Sequence, residues 1–282
     1  MRYERLRFLI KMAIRRPWPR PYRFCLLPDR RGCLRVRITP RDRQGAATVE
    51  LRPNSGDSLI FAQVFFDAAY DLTPLARWPE IETLARAAPQ PLLLDLGANV
   101  GFAALALHWQ FPRARILAVE PEPHNFAQLC RNVAGIEAIV PVQAAVAAAD
   151  GWVQLVNAGR KSSDFRTVPA SSQPGAAIPA SSIETLWRRA GLRPDYGTPL
   201  LVKMDVEGAE RDLFFPGCPW LERTPLLIVE PHDWLLPHQS LSHGLLAALT
   251  ARGGDVVVRG EHLICWQPAL ASQLAPAQRT AA

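Results

Sequence analysis

The stretch Leu92-Leu93-Leu94-Asp95-Leu96-Gly97-Ala98-Asn99-Val100-Gly101-Phe102 decides the fold. An apolar run ends in a carboxylate, a turn with two glycines follows, and an apolar helical pattern continues through Gln110. Such a run, feeding a helix through glycine, reads as a parallel strand buried on both faces and opening a βα unit. Gly97 and Gly101 allow a tight turn and close approach of a ligand where a Cβ would block it. The helix beyond offers unpaired N–H groups and a positive partial charge. Together these describe a nucleotide-type pocket, although buried glycine turns also serve packing alone. Two later strand ends that carry carboxylates set this turn apart.

Downstream, strands and helices alternate. Strands are expected at 116–120, 138–143, 151–156, 200–205 and 226–230, and helices at 123–133, from the 181–184 box through Ala190, and at 241–252. Ser181-Ser182-Ile183-Glu184 reads as a capping box. Residues 167–182, rich in Ala, Ser and Pro, read as a mobile low-complexity loop. Residues 255–258 and 262–266, joined at Arg259-Gly260-Glu261, read as a terminal hairpin that brings in one antiparallel strand. This pattern implies an α/β fold with a mostly parallel sheet and helices on both faces. The ligand then lies beyond the carboxyl ends of the strands, beside the first.

Upstream, residues 1–28 read as a basic arm, with an amphipathic helix over 3–16 and a proline-punctuated linker or extended crossing over 17–28. Residues 29–90 read as a small α+β extension: a hairpin from 34–38 and 48–51, a helix over 58–72 and a shorter one over 80–88. Residues 91–267 form the main domain, and 268–282 a frayed tail. Residues 1–43 hold 14 basic and 3 acidic residues, a net +11, so within the overall +6 the body carries −5. That distribution argues against nucleic acid as the main partner and leaves an anionic membrane surface as a partner for the arm. Five scattered cysteines with no CxxC pair suggest neither a disulfide framework nor a zinc site, and make a reducing cytoplasm the default, with the arm allowing a peripheral place on the inner membrane surface. The apolar stretches are too interrupted to span a bilayer.

The carboxylates carry the chemistry. Glu120 ends the second strand, where an acid accepts hydrogen bonds from ribose hydroxyls in both NAD and S-adenosylmethionine sites. Asp95, directly before the glycine turn, would repel a pyrophosphate but suits the ammonium of a methionine moiety, and Asn99 stands where a dinucleotide motif prefers glycine. A strand-end acid that only caps a turn is the plain alternative. Leu201–Glu210 supplies a second constellation, with Asp205 at a strand end, Lys203 on the same side, and Glu207 and Glu210 in the first turn of a helix. Glu230 and His232 end the fifth strand. His108, His124, His238, His243 and His262 read as surface histidines, and His232 admits that reading too.

With those residues in view, the stretch from Leu92 to His232 resembles the FkbM-type family of S-adenosylmethionine-dependent methyltransferases. The likeness rests on DLGANVG (95–101), VEPEPHNFAQLCRN (119–132), KMDVEGAE (203–210) and VEPH (229–232), with RPNSGDSLIFAQVFFDAAY (52–70) resembling the region before the core. It implies a class I, Rossmann-like methyltransferase sheet and O-methylation of a sugar, a lipid-linked carbohydrate (glycolipid) or a natural product. It also implies that Asp95, Gly97, Asn99, Gly101 and Glu120 contact the cofactor, with adenine near Ala144 and Ala145. Asp205 is the first candidate for the base that takes the acceptor's proton, His232 the second, and Glu207 orients substrate. Asp205, Glu230 and His232 suit a divalent ion chemically, but no spacing signature marks a metal site, and none is expected. An NAD(P)-dependent oxidoreductase and a non-catalytic membrane-docking scaffold are the alternatives.

Overall fold

The computed structural model describes residues 21–157, 165–169, 177–191, 198–207, 209–214, 219–233 and 238–274. The expected arm helix lies outside them. The described chain begins with three antiparallel strands, β1 (Tyr22–Arg30), β2 (Cys33–Pro40) and β3 (Ala47–Leu51). Of the two readings of 17–28, strand β1 favours the extended one over 22–28 and adds that it is paired; residues 17–20 lie outside the described residues. Tyr22 to Leu27 pair in register with Pro40 to Arg35, and Pro28 falls where the register shifts on this edge strand, a position that tolerates a missing N–H. Helix α1 (Asp57–Phe61) runs on into a π-helical turn, Ala62–Phe66. It stops short of the expected Leu72 because the chain swings away at Ala68, where φ is +53°. Helix α2 (Trp78–Ala87) completes the extension.

Strand β4 (Pro91–Leu96) is buried at every position, which is why its sequence is an unbroken apolar run. Leu93 packs on the side of the N-terminal extension, whereas Leu92, Leu94 and Leu96 pack on the opposite side with Trp187 and Leu245. Then follow α3 (Phe102–Gln110), β5 (Arg115–Val119), α4 (Pro123–Asn132) and β6 (Ile139–Val142).

A second, four-stranded sheet comes next in the chain: β7 (Ala145–Val146), β8 (Gly151–Asn157), β9 (Phe165–Pro169) and β10 (Ala177–Ser181), ordered β7-β10-β8-β9. Strands β9 and β10 correct the reading as loop at 167–169 and 177–181; residues 170–176 of that segment lie outside the described residues. Both pair antiparallel with β8, so pairing gives them a conformation that their composition does not announce.

Helix α5 (Ile183–Ala190) is capped by Ser182, whose hydroxyl accepts from the Thr185 N–H at 3.2 Å, one residue later than the capping-box reading placed it. The chain continues through β11 (Thr198–Met204), α6 (Glu210–Leu213), β12 (Leu226–Val229), α7 (His243–Thr250), β13 (Asp255–Arg259) and β14 (His262–Trp266). Helix α8 (Pro268–Leu274) replaces the frayed start expected for the tail, because Ala271 docks into the core.

The main sheet is ordered β13-β14-β12-β11-β4-β5-β6. Strands β6, β5, β4, β11 and β12 are parallel, and β14 runs antiparallel to both β12 and β13. Helices α2, α3 and α4 cover one face together with the extension, and α5 and α7 cover the other. The extension shares the main core: Phe61 and Phe65 meet Phe102 at 5.6 and 5.7 Å between ring centroids. No helix among the described residues is long and apolar enough to cross a membrane.

Candidate active site

Backbone hydrogen bonds lace the carboxyl ends of the strands together. Gly97 N–H donates to Val119, Glu120 to Val142, Asp205 to Leu96 and Glu230 to Met204, each at 3.0 Å. The acids that follow these strands therefore emerge side by side. The turn after β4 depends on glycine: Gly97 has φ +76°, and a Cβ there would lie 1.8 Å from the Asp205 carbonyl oxygen. Gly101 has φ +87°, but its absent Cβ makes room for Leu129 of α4 at 2.6 Å rather than for a ligand.

Two hollows open over this edge. The smaller, of about 60 Å³, is lined by Gly97, Asn99, Glu120, Ala145, Val146 and Glu207 among others. Glu120 is buried, and its two oxygens accept from the backbone N–H groups of Asn99 and Glu122, each at 2.9 Å. Burial pushes its pKa up to about 7, against the pull of those two donors. The fixed carboxylate keeps lone pairs for further donors such as ribose hydroxyls. Of the expected cofactor residues, Gly97, Asn99, Glu120 and Ala145 line this hollow, and Asp95, Gly101 and Ala144 do not.

Asp95 is fully buried and faces Lys203 across the β4–β11 register, with Nζ 3.1 Å from its Oδ1. The expected contact between Asp95 and a cofactor ammonium is thus replaced by one with a buried lysine. Lys203 also donates to the Gly97 carbonyl at 2.8 Å and lies 3.7 Å from Asp205. Burial works against its ammonium, but the charges of Asp95 and Asp205 hold its pKa above the ordinary lysine range.

The larger hollow, of about 240 Å³, shares Gly97, Asn99, Asp205 and Glu207 with the first. Leu59, Ile60, Gln63 and Val64 of the extension form one wall, and Glu261 and His262 of the terminal hairpin another. At its floor, three carboxylates converge on His232 Nε2: Asp205 at 3.5 Å, Glu230 at 3.7 Å and Glu207 at 3.9 Å. The other ring nitrogen, Nδ1, meets Glu210 Oε1 at 2.5 Å, and both side chains are about 1% exposed. Burial alone would lower the His232 pKa, but the bond to Glu210 and the facing acids raise it to about 9. Burial and Asp205 raise Glu230 to about 8.

Asp205, His232 and Glu207 are therefore brought together as expected, with corrections around them. Glu207 precedes α6 instead of lying in its first turn, in a left-handed conformation with φ +50° that turns it toward the site. His262 is buried rather than on the surface, with Nε2 3.0 Å from Tyr70 Oη and 3.6 Å from Glu230. Period-two spacing in β14 was the available signal, since His262 shares a face with the core residues Ile264 and Trp266. His108 lies in α3 and is partly buried, whereas His124 and His243 are exposed helix residues. A further hollow, of about 720 Å³, lies at the opposite ends of the strands near Pro91 and Ala114 and holds none of the expected site residues.

A glycine turn after the first parallel strand, an acid ending the second and an antiparallel strand beside the fifth define a class I, Rossmann-like methyltransferase. The FkbM methyltransferase domain matches residues 95–253, and the chain belongs to that family, whose members use S-adenosylmethionine. The glycine cradle and the Glu120 carboxylate fit that cofactor. Among curated relatives, methyltransferase sdnD of Sordaria araneosa is 33% identical over 85 residues, 30% of this chain and 28% of that protein. Methyltransferase 1 of Beauveria bassiana (strain ARSEF 2860) is 30% identical over 84 residues, 28% of this chain and 29% of that protein. The matches thus span less than a third of either relative. Among solved structures, a precorrin-6y C5,15-methyltransferase from Geobacter metallireducens aligns with a TM-score of 0.36 at 12% identity, over 67% of this chain and 87% of that one. The Methanococcus jannaschii fibrillarin pre-rRNA processing protein gives 0.40 at 13%, over 87% and 98%.

Proposed function

We propose that this methyltransferase places the methyl group on a hydroxyl of a sugar, a glycolipid or a natural product. The observation that best supports the reading is the convergence of Asp205, Glu207 and Glu230 on His232 at the floor of the 240 Å³ cavity. When bound, S-adenosylmethionine supplies a methyl group on a positively charged sulfur, open to in-line displacement. Glu120 holds its ribose, and Gly97, Asn99 and Ala145 shape the surface against which it lies. The acceptor occupies the larger cavity, oriented by Asp205, Glu207 and His232.

As the acceptor oxygen takes the methyl group, its proton must pass to a base within hydrogen-bond reach. We assign that role to Glu230. Asp205 is engaged by the Lys203 ammonium 3.7 Å away. Glu230 lies between two imidazoles, His232 at 3.7 Å and His262 at 3.6 Å, and it lines the acceptor cavity.

The test is turnover of isotope-labelled S-adenosylmethionine with a panel of glycosides, glycolipids and polyhydroxylated natural products. An O-methyl product, identified by mass spectrometry and NMR, supports the reading, and a preferred nitrogen or carbon acceptor overturns it. Glu230→Gln should lower turnover by roughly 10²–10⁴ while cofactor affinity stays within about tenfold. Near-normal turnover in that variant, with a collapse in Asp205→Asn, would return the base to Asp205.

A further inference from the structure

We propose that Asp205 Oδ1, Glu207 Oε2 and His232 Nε2 form a binding site for one divalent cation of the Mg²⁺ or Mn²⁺ kind. One donor atom from each of the three residues lies within 4.8 Å of the others, and Nε2 is 3.5 Å from Asp205 Oδ1 and 3.9 Å from Glu207 Oε2. Donors held about 2.1 Å from an octahedral ion stand about 3.0 Å apart when adjacent and about 4.2 Å apart when opposite. Both measured separations fall between those limits.

The arrangement is more than a patch of surface acids. His232 is about 1% exposed, and Glu210, equally buried, sits 2.5 Å from its Nδ1. A carboxylate behind a histidine is the usual support of a metal-binding imidazole: it fixes the ring and directs the other nitrogen at the ion. Glu207 is turned toward the same point by a left-handed backbone, φ +50°, that glutamate seldom adopts. Two carboxylates and one imidazole suit a hard or borderline cation that also keeps positions for water or substrate. Glu230 lies at the rim of the site, with an oxygen 3.7 Å from Nε2.

The remaining positions of such an ion face the acceptor cavity. Its role toward the acceptor rests on the methyl-transfer reading, whereas its binding does not. An acceptor with two neighbouring oxygens, such as a vicinal diol, can chelate it. That contact would fix which hydroxyl meets the methyl group, and the proton of that hydroxyl passes to Glu230.

The test uses the full chain, stripped of metal with a chelator and titrated with Mn²⁺ alone. Bound ion is read by electron paramagnetic resonance and heat by calorimetry, and S-adenosylmethionine affinity is measured separately. One bound Mn²⁺ per chain is expected. Affinity should fall at least tenfold in His232→Ala and in Asp205→Asn, and by 10–100-fold in Glu210→Gln through loss of the support behind the ring. If Glu210→Gln lowers the melting temperature sharply, Glu207→Gln on the rim carries the same expectation of at least a tenfold loss. A chain that binds S-adenosylmethionine but no Mn²⁺ at millimolar concentration overturns the cation site and leaves methyl transfer standing. Mn²⁺ binding that is unchanged by His232→Ala and Asp205→Asn also overturns it. Mn²⁺ binding lost in those variants, in a chain with no affinity for S-adenosylmethionine, would sustain the site and remove the function built on it.

Discussion

Glu120 shows how burial sets a residue's working range. Its pKa near 7 means that the carboxylate is largely ionised only above neutrality. If the ionised form alone accepts both ribose hydroxyls, cofactor affinity should fall as pH drops from 8 toward 6, approaching tenfold per unit below the pKa. Glu120→Gln should bind more weakly and lose that pH dependence; calorimetry across the range checks both. Gly97 makes a second test at this scale. Gly97→Ala drives a methyl group into the Asp205 backbone, so it should cost about 3 kcal/mol or more, measured by denaturant unfolding. Gly101→Ala meets the movable end of the Leu129 side chain and should cost less. The sequence exposed those residues whose roles follow from position along a strand: Glu120, Asp205 and Glu230 end parallel strands and had to converge. It concealed Glu210, His262 and Tyr70, which reach the site through long-range packing and the register of the hairpin.

Strands β4 and β11 are tied by more than their ladder. Asp95 and Lys203 form an ion pair sealed inside the sheet, with side chains 0% and 2% exposed. Lys203→Met would strand a buried carboxylate and should destabilise the fold by about 3–5 kcal/mol, and a second change, Asp95→Leu, should recover part of that loss. Chemical denaturation of both variants measures the difference. Elements whose burial is uniform or strictly alternating were legible in the sequence, β4 and β2 among them. Those stabilised mainly by a partner were not: β1 carries a proline, and β9 and β10 are written in a low-complexity alphabet that becomes strand only beside β8.

Across the whole molecule, charge and core are distributed differently. Residues 1–43 hold a net +11, and Arg23, Arg30, Arg31 and Arg37 lie exposed on β1, β2 and the turn between them. We propose that this end rests on anionic membrane, at about 1 kcal/mol per basic residue near the surface. Binding to phosphatidylserine vesicles should weaken with salt and drop on removal of residues 1–20; sedimentation unaffected by either would sink the idea. The core makes no such division. Phe61 and Phe65 of the extension and Phe102 and Trp109 of α3 belong to one hydrophobic cluster, so the extension is part of the same folding unit.

The walls of the larger hollow, the proposed acceptor site, come from the extension and from the turn of the terminal hairpin, whereas Asp205 and Glu230 follow parallel strands. On that reading, chain regions before and after the proposed methyl-transfer groups govern what enters, and those groups are free to stay constant. Drift at Leu59, Ile60, Gln63 or Glu261 can retune the choice of acceptor without touching the groups that move the methyl or the proton. A lineage built this way can diversify its products quickly from a nearly fixed reaction centre, and a designer can do the same by recombining entrances.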